Sequence, residues 1–300
     1  MVDLTLLLTG GTGCFGQAFA RYALDHGARR VIVYSRDEEK HRRMREAFAD
    51  DRLDFFLGDV RDEADLRRAM QAVGLDAVVH AAALKQIDKC EANPLQTMKT
   101  NVVGSANVIN AALDAGVPKV MAISTDKAVQ ATTVYGASKA MMERLMVAAN
   151  VYRGSHGTRF ACVRYGNVLQ STGSVIPKWR QQVSEGQPIT VTDPDMTRFW
   201  WRLDEAVAFT AEAIRTMEGS EIFVPKLRAC RIGDMADTIS DRQSITGIRP
   251  TEKKHEILIA PDEPCRDAGW AWVIEQGNPP FGMAYRSDGV PRIPAQEVIG

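Results

Sequence analysis

Hydrophobic and polar positions alternate along the first half of the chain in two different rhythms. Short apolar runs bounded by turn residues lie at 4–9, 30–34, 53–57, 77–80, 120–124 and 159–164. Such runs read as strands buried on both faces. Between them lie longer stretches, at 17–26, 38–48, 62–73, 95–115 and 134–150, where apolar residues recur with a helical period. Strand and helix in strict alternation predict an α/β fold, a doubly wound parallel sheet with helices on both faces. After about residue 165 the rhythm becomes irregular and prolines accumulate at 177, 188, 194, 225, 250 and 261. This division predicts a dinucleotide-binding Rossmann domain over 1–165 and a smaller substrate-binding lobe over 166–300, interleaved without a linker. Ligands bind such sheets at the carboxyl ends of the strands, so the lobe is expected there.

Composition narrows the class. Three hundred residues, 45% hydrophobic, suffice for a full core. The net charge of −1 argues against a nucleic-acid or membrane-surface partner. No apolar run is long enough to span a bilayer, and the start Met-Val-Asp-Leu lacks the basic region of a signal peptide. The five cysteines are scattered, odd in number and form no C-x-x-C, as expected of reduced thiols in a cytoplasmic protein. The five histidines show no metal-ligand spacing, and no metal is expected. His80 ends an apolar strand and reads as a packed residue.

The first chemical signal follows the first strand. Gly10-Gly-Thr12-Gly13-Cys14-Phe15-Gly16 joins a strand to a helix. Its glycines permit a tight turn, let the backbone approach a pyrophosphate and let the helix pack on the strand, while the helix N-terminus faces the phosphates. The second strand ends in Ser35-Arg36 where an NAD-binding chain carries an acid. An arginine there can hold a 2′-phosphate, which favours NADP over NAD, although Asp37 stands close by. Ala81, Ala82 and Ala83, after the fourth strand, would let backbone lie against the cofactor or would simply pack.

The second signal is Thr125-Asp126-Lys127 followed by Tyr135-Gly-Ala-Ser-Lys139. Tyr135 and Lys139, four apart, share a helix face. An ammonium beside a phenol favours the phenolate, which can take a proton from an alcohol. Asp126-Lys127 adds an acid and a base that alcohol oxidation does not need. It is either a surface ion pair or the machinery of a further proton transfer.

These motifs resemble the extended short-chain dehydrogenase/reductase superfamily. Nine further segments narrow the resemblance: Tyr34-Ser-Arg-Asp-Glu38, Gly58-Asp-Val-Arg-Asp62, His80-Ala-Ala-Ala-Leu-Lys85, Ser124-Thr-Asp-Lys127, Arg164-Tyr-Gly-Asn-Val168, Gly173-Ser-Val-Ile-Pro177, Met196-Thr-Arg-Phe199, Ile222-Phe-Val-Pro-Lys226 and Gly247-Ile-Arg-Pro250. Together they resemble the inverting UDP-N-acetylglucosamine 4,6-dehydratases of bacterial surface-glycan synthesis, from about residue 4 to about 260. The resemblance implies that Tyr135 takes the 4-hydroxyl proton while hydride leaves C4 for the nicotinamide. Lys139 would support Tyr135 and the nicotinamide ribose, and Thr125 would bond the 4-oxygen. Lys127 would remove the C5 proton, Asp126 would protonate the departing 6-hydroxyl, and the hydride would return to C6. A lysine base works as the neutral amine, so its pKa is expected to be lowered. Asp59 and Val60 would line the adenine side. Lys85, Asn167, Arg198, Arg249 and Glu252 would hold the sugar and its diphosphate. A nucleotide sugar is then the expected partner, with a homo-oligomer packed through helices 95–115 and 134–150.

Three places depart from that pattern. Val129-Gln-Ala-Thr-Thr-Val134 replaces a loop containing Pro and Asn. Gln170-Ser-Thr-Gly173 lacks an expected basic residue. Thr251 stands where the motif has glycine. A nucleotide-sugar 4-epimerase or another dehydratase remains an alternative within the fold, needing Tyr135 and Lys139 but not Asp126-Lys127. A redox-sensing dinucleotide-binding protein is the alternative outside enzymology, and such a protein would not need the Tyr-Lys pair.

Overall fold

In a computed structural model of the chain, residues 1–72, 74–154, 157–169 and 175–299 are described; the departing segment Gln170–Gly173 lies outside them. Six parallel strands form where the apolar runs predict them: β1 (Thr5–Thr9), β2 (Arg30–Ser35), β3 (Leu53–Leu57), β4 (Ala77–His80), β5 (Lys119–Thr125) and β6 (Arg159–Tyr165). β1 and β4 are buried at every position, as strands covered on both faces must be. The sheet runs β3-β2-β1-β4-β5-β6, so the winding direction reverses between β1 and β4. Register pairs Thr9 with His80, His80 with Ala122 and Thr125 with Tyr165. The last residues of four strands therefore share one edge of the sheet, beside the crevice that such a reversal creates.

Helices α1 (Cys14–Asp25), α2 (Glu38–Phe48) and α3 (Glu63–Gln71) connect the first strands. Asp37 and Asp62 cap α2 and α3 by accepting from Lys40 N and Asp65 N at 3.0 and 3.1 Å. The helix expected over 95–115 runs continuously from Pro94–Met98 through a π turn at Lys99–Val103 into Gly104–Asp114, and a short helix, Ile87–Ala92, precedes it. Pro94 opens the longer one, where its missing N–H costs nothing. The π turn carries Asn101, whose side chain bonds Leu84 N, Leu84 O and Ser138 Oγ. The long helix runs Val134–Tyr152, capped by Thr133 Oγ1 on Gly136 N at 3.0 Å.

Beyond residue 165 the chain does two things. Strand Ile222–Pro225 adds in parallel to β6, then Ala271–Ile274 and Cys265–Asp267 follow antiparallel, giving nine strands. The rest builds a lobe on small sheets, one pairing Arg228–Arg231, Thr197–Trp201 and Asn167–Val168, another pairing Gln243–Ile245 with Ile189–Val191. The lobe has its own core around Trp179, Trp200, Met196 and Met235. The final residues join that core through Ile293, Ala295 and Val298. No described helix is long and apolar enough to cross a membrane.

His80 is a packed residue, as its strand position suggests. Its Nδ1 and Nε2 meet Thr9 Oγ1 at 2.7 Å and Ser105 Oγ at 2.9 Å. Burial, with help from Lys139, lowers its pKa to about 3, so it stays neutral in the folded protein. The unfolded chain protonates it near the ordinary imidazole value of roughly 6.5. Stability from this residue is therefore present above that pH and lost as pH falls from there toward 3, by up to about 1.4 kcal/mol per pH unit. Urea unfolding of His80→Asn across pH 4–7 is expected to show a slope smaller by one proton than that of the wild type.

Candidate active site

A cleft of about 1280 Å³ runs along the carboxyl ends of the strands and under the lobe. Its floor begins at the glycine turn. Gly10 has φ +67°, and a Cβ there would lie 2.7 Å from Ala82 Cα, so the turn and the small-residue run after β4 are packed backbone against backbone. A Cβ on Gly16 would strike Gly11 Cα at 2.5 Å, which is why α1 can dock on the turn. Thr12, Gly13, Cys14 and Phe15 line the cleft at the start of α1, whose free N–H groups suit a phosphate. Ala81, Ala82, Ala83 and Lys85 line the opposite side. Burial lowers the pKa of Lys85.

The distal end of this groove is charged. Ser35 Oγ is held by Thr12 Oγ1 at 3.0 Å and His41 Nε2 at 2.6 Å. Arg36 is 55% exposed and reaches Asp59 Oδ2 at 3.4 Å. Asp59 also binds Arg61 at 2.6 Å, and Val60 lies beside it in the wall. Asp37, the acid that stands close to the strand end, is occupied by the N-terminus of α2 and by Lys40 at 3.3 Å. The cradle fits a dinucleotide: a tight turn with no room for side chains, a helix N-terminus, and a polar rim one strand further on.

The reactive half is set by β5. Its strand ends at Thr125, and the chain turns at once through a 3₁₀ turn, Asp126–Ala128, into the loop before the long helix. Thr125 Oγ1 donates to Asp126 Oδ1 at 2.9 Å, and Lys127 Nζ donates to the same oxygen at 3.0 Å. Asp126 has no exposed surface, and its Oδ2 has no partner. The Asp-Lys pair is therefore a buried ion pair, not a solvated one. Gly136 makes this possible: a Cβ there would lie 2.2 Å from Lys127 O. Tyr135, one residue earlier, is thus brought beside Thr125, Asp126 and Lys127.

Electrostatics revise two expectations. Lys127 does not have a lowered pKa. Burial pulls it down, but Asp126 and Glu256 outweigh burial and raise it above the ordinary value. Burial pushes the Tyr135 phenol up to about 12, and the cation that opposes this most is Lys127, not Lys139. Lys139 lies one turn further on with Nζ 2.9 Å from Met142 Sδ, and burial lowers it to about 8. Asp126 is raised, again by burial first.

The lobe closes the site. Asn167 Oδ1 is 3.4 Å from Lys127 Nζ. Arg198, expected to face a diphosphate, directs its guanidinium into the lobe, toward Thr197 O, Lys254 O and Lys253 O at 2.9–3.1 Å and Glu252 at 3.5 Å. One edge of it still lines the cleft. Arg249 is exposed and pairs with Asp88 at 3.1 Å across the mouth. Two of the departures from the family pattern meet here: Thr132 Oγ1 donates to Thr251 O at 2.7 Å, and Thr251 holds φ +68°. Lys253 Nζ reaches Val129 O. Sequence reasoning missed Glu256, whose Oε1 is 3.5 Å from Lys127 Nζ. It missed Lys253 as well. Their only signal was proximity to Glu252. Among the described residues, no cluster of His, Cys, Asp and Glu is arranged for a metal.

An extended short-chain dehydrogenase/reductase fold carrying a Thr-Asp-Lys and Tyr-x-x-x-Lys site defines the class. A family model described as polysaccharide biosynthesis protein matches residues 6–271, and the chain belongs to that family. Among its relatives is the inverting UDP-N-acetylglucosamine 4,6-dehydratase of Campylobacter jejuni serotype O:2, 43% identical over 262 residues, 86% of this chain and 78% of that protein. The UDP-glucose 4-epimerase of Rickettsia canadensis is 39% identical over 272 residues, 87% and 79%. Of solved structures, Pen from Bacillus thuringiensis superposes with a TM-score of 0.93 at 33% identity over 99% and 96% of the chains. The dTDP-glucose 4,6-dehydratase DesIV from Streptomyces venezuelae, solved with NAD, gives 0.75 at 25% over 83% and 86%.

Because no side chain fits between the long helix and the Asp-Lys turn, Gly136→Ala is expected to lose about 1–3 kcal/mol of stability, the usual cost of overpacking. Chemical denaturation checks this, and an unchanged midpoint would mean that the turn is not clamped.

Proposed function

We infer that this chain is a nucleotide-sugar 4,6-dehydratase acting on UDP-N-acetylglucosamine with inversion at C5. The carrying observation is the buried Thr125-Asp126-Lys127 turn against Tyr135. Oxidation or epimerisation at C4 needs Tyr135 and Lys139 alone. A fully buried acid bonded to an amine at the same point is the equipment of a second proton transfer. The kinship to the C. jejuni enzyme supports the same reading.

Each side chain then has a task. Tyr135 accepts the 4-hydroxyl proton, with Thr125 and Lys127 beside the phenol and Lys139 one turn behind. A bound nicotinamide supplies hydride acceptance and return. Glycines 10, 13 and 16 and the start of α1 hold its diphosphate. Lys127 and Asp126 perform the elimination. As an ion pair they are ammonium and carboxylate. Moving one proton across the 3.0 Å contact gives amine and carboxylic acid with no change in total charge. Burial favours that neutral form. The amine removes the C5 proton, and the acid protonates the leaving 6-hydroxyl. Two macroscopic titrations then belong to the pair rather than to either residue. Asn167, Lys85, Arg249 and Glu252 surround the sugar and diphosphate, and Arg198 stiffens that wall from behind.

The cofactor in this reading is NADP. Asp37 is engaged as a helix cap, while Arg36 is exposed at the strand end, where a 2′-phosphate would sit. The assembly is a homo-oligomer through the helices 94–114 and 134–152, which expose Leu95, Met98, Val103, Met141 and Tyr152.

An epimerase reading is favoured by relatives such as the R. canadensis and R. rickettsii UDP-glucose 4-epimerases, and mass separates the two. Incubated with UDP-N-acetylglucosamine, the protein is expected to release product lighter by one water, with deuterium at C5 in D₂O. An isomer of unchanged mass would establish epimerisation instead. Lys127→Ala is expected to cut water loss by roughly a hundredfold or more, while Tyr135→Phe abolishes all steps. For the cofactor, calorimetry should give tighter binding of NADP(H) than NAD(H). Arg36→Ala should erase a preference of about ten- to a hundredfold, the scale of one charge-assisted hydrogen bond. Equal wild-type affinities would overturn the NADP assignment.

A further inference from the structure

Glu256 is buried, lines the cleft and belongs to no role assigned so far. Its Oε1 lies 3.5 Å from Lys127 Nζ and 3.8 Å from Arg198 Nε, and its Oε2 has no partner. The backbone fixes it. Ser287 Oγ accepts from Glu256 N at 3.0 Å and donates to Thr197 O at 3.0 Å, while Ser287 N donates to Glu256 O at 2.9 Å. Burying a carboxylate is costly unless it is paired, and what pairs this one is the proposed base.

Lys127 thus has two carboxylates at one ammonium, Asp126 at 3.0 Å and Glu256 at 3.5 Å. Two such groups in a dry site do not ionise equally. Burial raises Asp126. Burial also pushes Glu256 up, but Lys127, Arg198 and Lys253 outweigh it and hold Glu256 below the ordinary carboxylate range. Of the two carboxylates, Glu256 is the one its cations hold as the anion, and Asp126 is the readier to take a proton. The remaining groups facing Lys127 are Tyr135 from the long helix, Arg198 from the lobe strand and Lys253 beside Glu252.

We propose that Glu256 is a positioning residue for the elimination, the standing counter-ion against which Lys127 becomes an ammonium while Asp126 stays free to give up its proton. The proposal rests on the dehydratase reading. In the step it serves, the C5–H bond breaks and an N–H bond forms on Lys127. The electron pair enters the 4-keto system and then leaves with C6–O as that bond breaks. The Asp126 proton departs in the water. Without Glu256, Asp126 would be the sole counter-ion of Lys127 and would be held as the carboxylate, unable to act as an acid.

The test uses full-length Glu256→Gln and Glu256→Asp, with thermal unfolding as a check on folding. Competitive labelling with acetic anhydride across pH, read by mass spectrometry on the Lys127 peptide, gives the midpoint of that amine without requiring turnover. In the Gln variant the midpoint is expected to fall by about one pH unit or more, and in the Asp variant by less. The acid limb of the pH profile for water loss should move down with it, kcat should drop roughly tenfold or more, and KM should stay within about threefold. An unmoved Lys127 midpoint in both variants would overturn the role of Glu256, whatever happens to rate. Should wild type release no water from UDP-N-acetylglucosamine, the dehydratase reading fails, and the labelling still decides whether Glu256 is the counter-ion. If Gln does not fold, the Asp midpoint decides: a fall supports the role, and identity with wild type ends it.

Discussion

One guanidinium ties the two halves of this protein together. Arg164, on β6, is buried and forms paired contacts with Glu143 on the long helix, at 2.7 and 2.9 Å, and with Glu263 beyond the lobe, at 2.8 and 2.9 Å, while donating to Leu258 O at 3.0 Å. Bidentate geometry of this kind is specific in direction as well as strong. Glu143 lies one turn beyond Lys139 on the helix that carries Tyr135. Leu258 and Glu263 follow directly on the segment that carries Glu252 and Glu256. Removing the guanidinium would leave the buried Glu143 carboxylate unpaired, at a cost of about 3–5 kcal/mol. The reacting groups of the sheet and those of the lobe are therefore held in register by the same side chain.

Within that frame the site works by sorting protons. Asp126, Lys127, Glu256 and Arg198 are all buried or nearly so. Each alone would be intolerable in a dry interior, and together they fix one another's charge. The raised Lys127 and raised Asp126 look contradictory if each is read singly. They describe a pair that holds one proton between two atoms, with the anionic charge placed elsewhere. In the proposed elimination, Lys127 could then act as a neutral base within a strongly anionic neighbourhood, because Asp126 would take the proton it sheds.

Much of this was legible in the sequence, for identifiable reasons. The six parallel strands were visible because burial on both faces leaves unbroken apolar runs, and the glycine turn because its spacing has one mechanical use. Asp126-Lys127 and Tyr135-Lys139 were visible because they are local pairs. What was not legible is what depends on distant chain meeting. The helix expected over 95–115 contains a π turn whose Asn101 bonds Leu84 and Ser138, and a separate helix, Ile87–Ala92, stands before it. Strands of two to five residues in the lobe carry no period long enough to read. Lys127 was expected to have a lowered pKa because a lysine base works as the neutral amine, and its own segment shows only one of the two carboxylates that raise it. The second, Glu256, arrives from 129 positions away in the chain. Arg198 in its motif looks like a clamp for ligand, yet Lys253 and Lys254 bring carbonyls to it that no local pattern announces.

The threading of the main sheet also governs how this protein can be made. Strand Ile222–Pro225 covers the open edge of β6, and Ala271–Ile274 covers that strand in turn. During synthesis from the N-terminus, six parallel strands can assemble while β6 still presents unpaired backbone groups to solvent. A bare edge of that kind is a template for pairing with another chain. Once residue 225 has emerged β6 can be covered, but the covering strand then forms the bare edge until residues 271–274 follow, and the Ser287 that seats Glu256 emerges later still. Long-range pairing of this sort is slow. A ribosome-stalled or truncated chain lacking residues after about 260 would thus display a folded cofactor half with a sticky flank, and its characteristic failure would be self-association rather than loss of the nucleotide site.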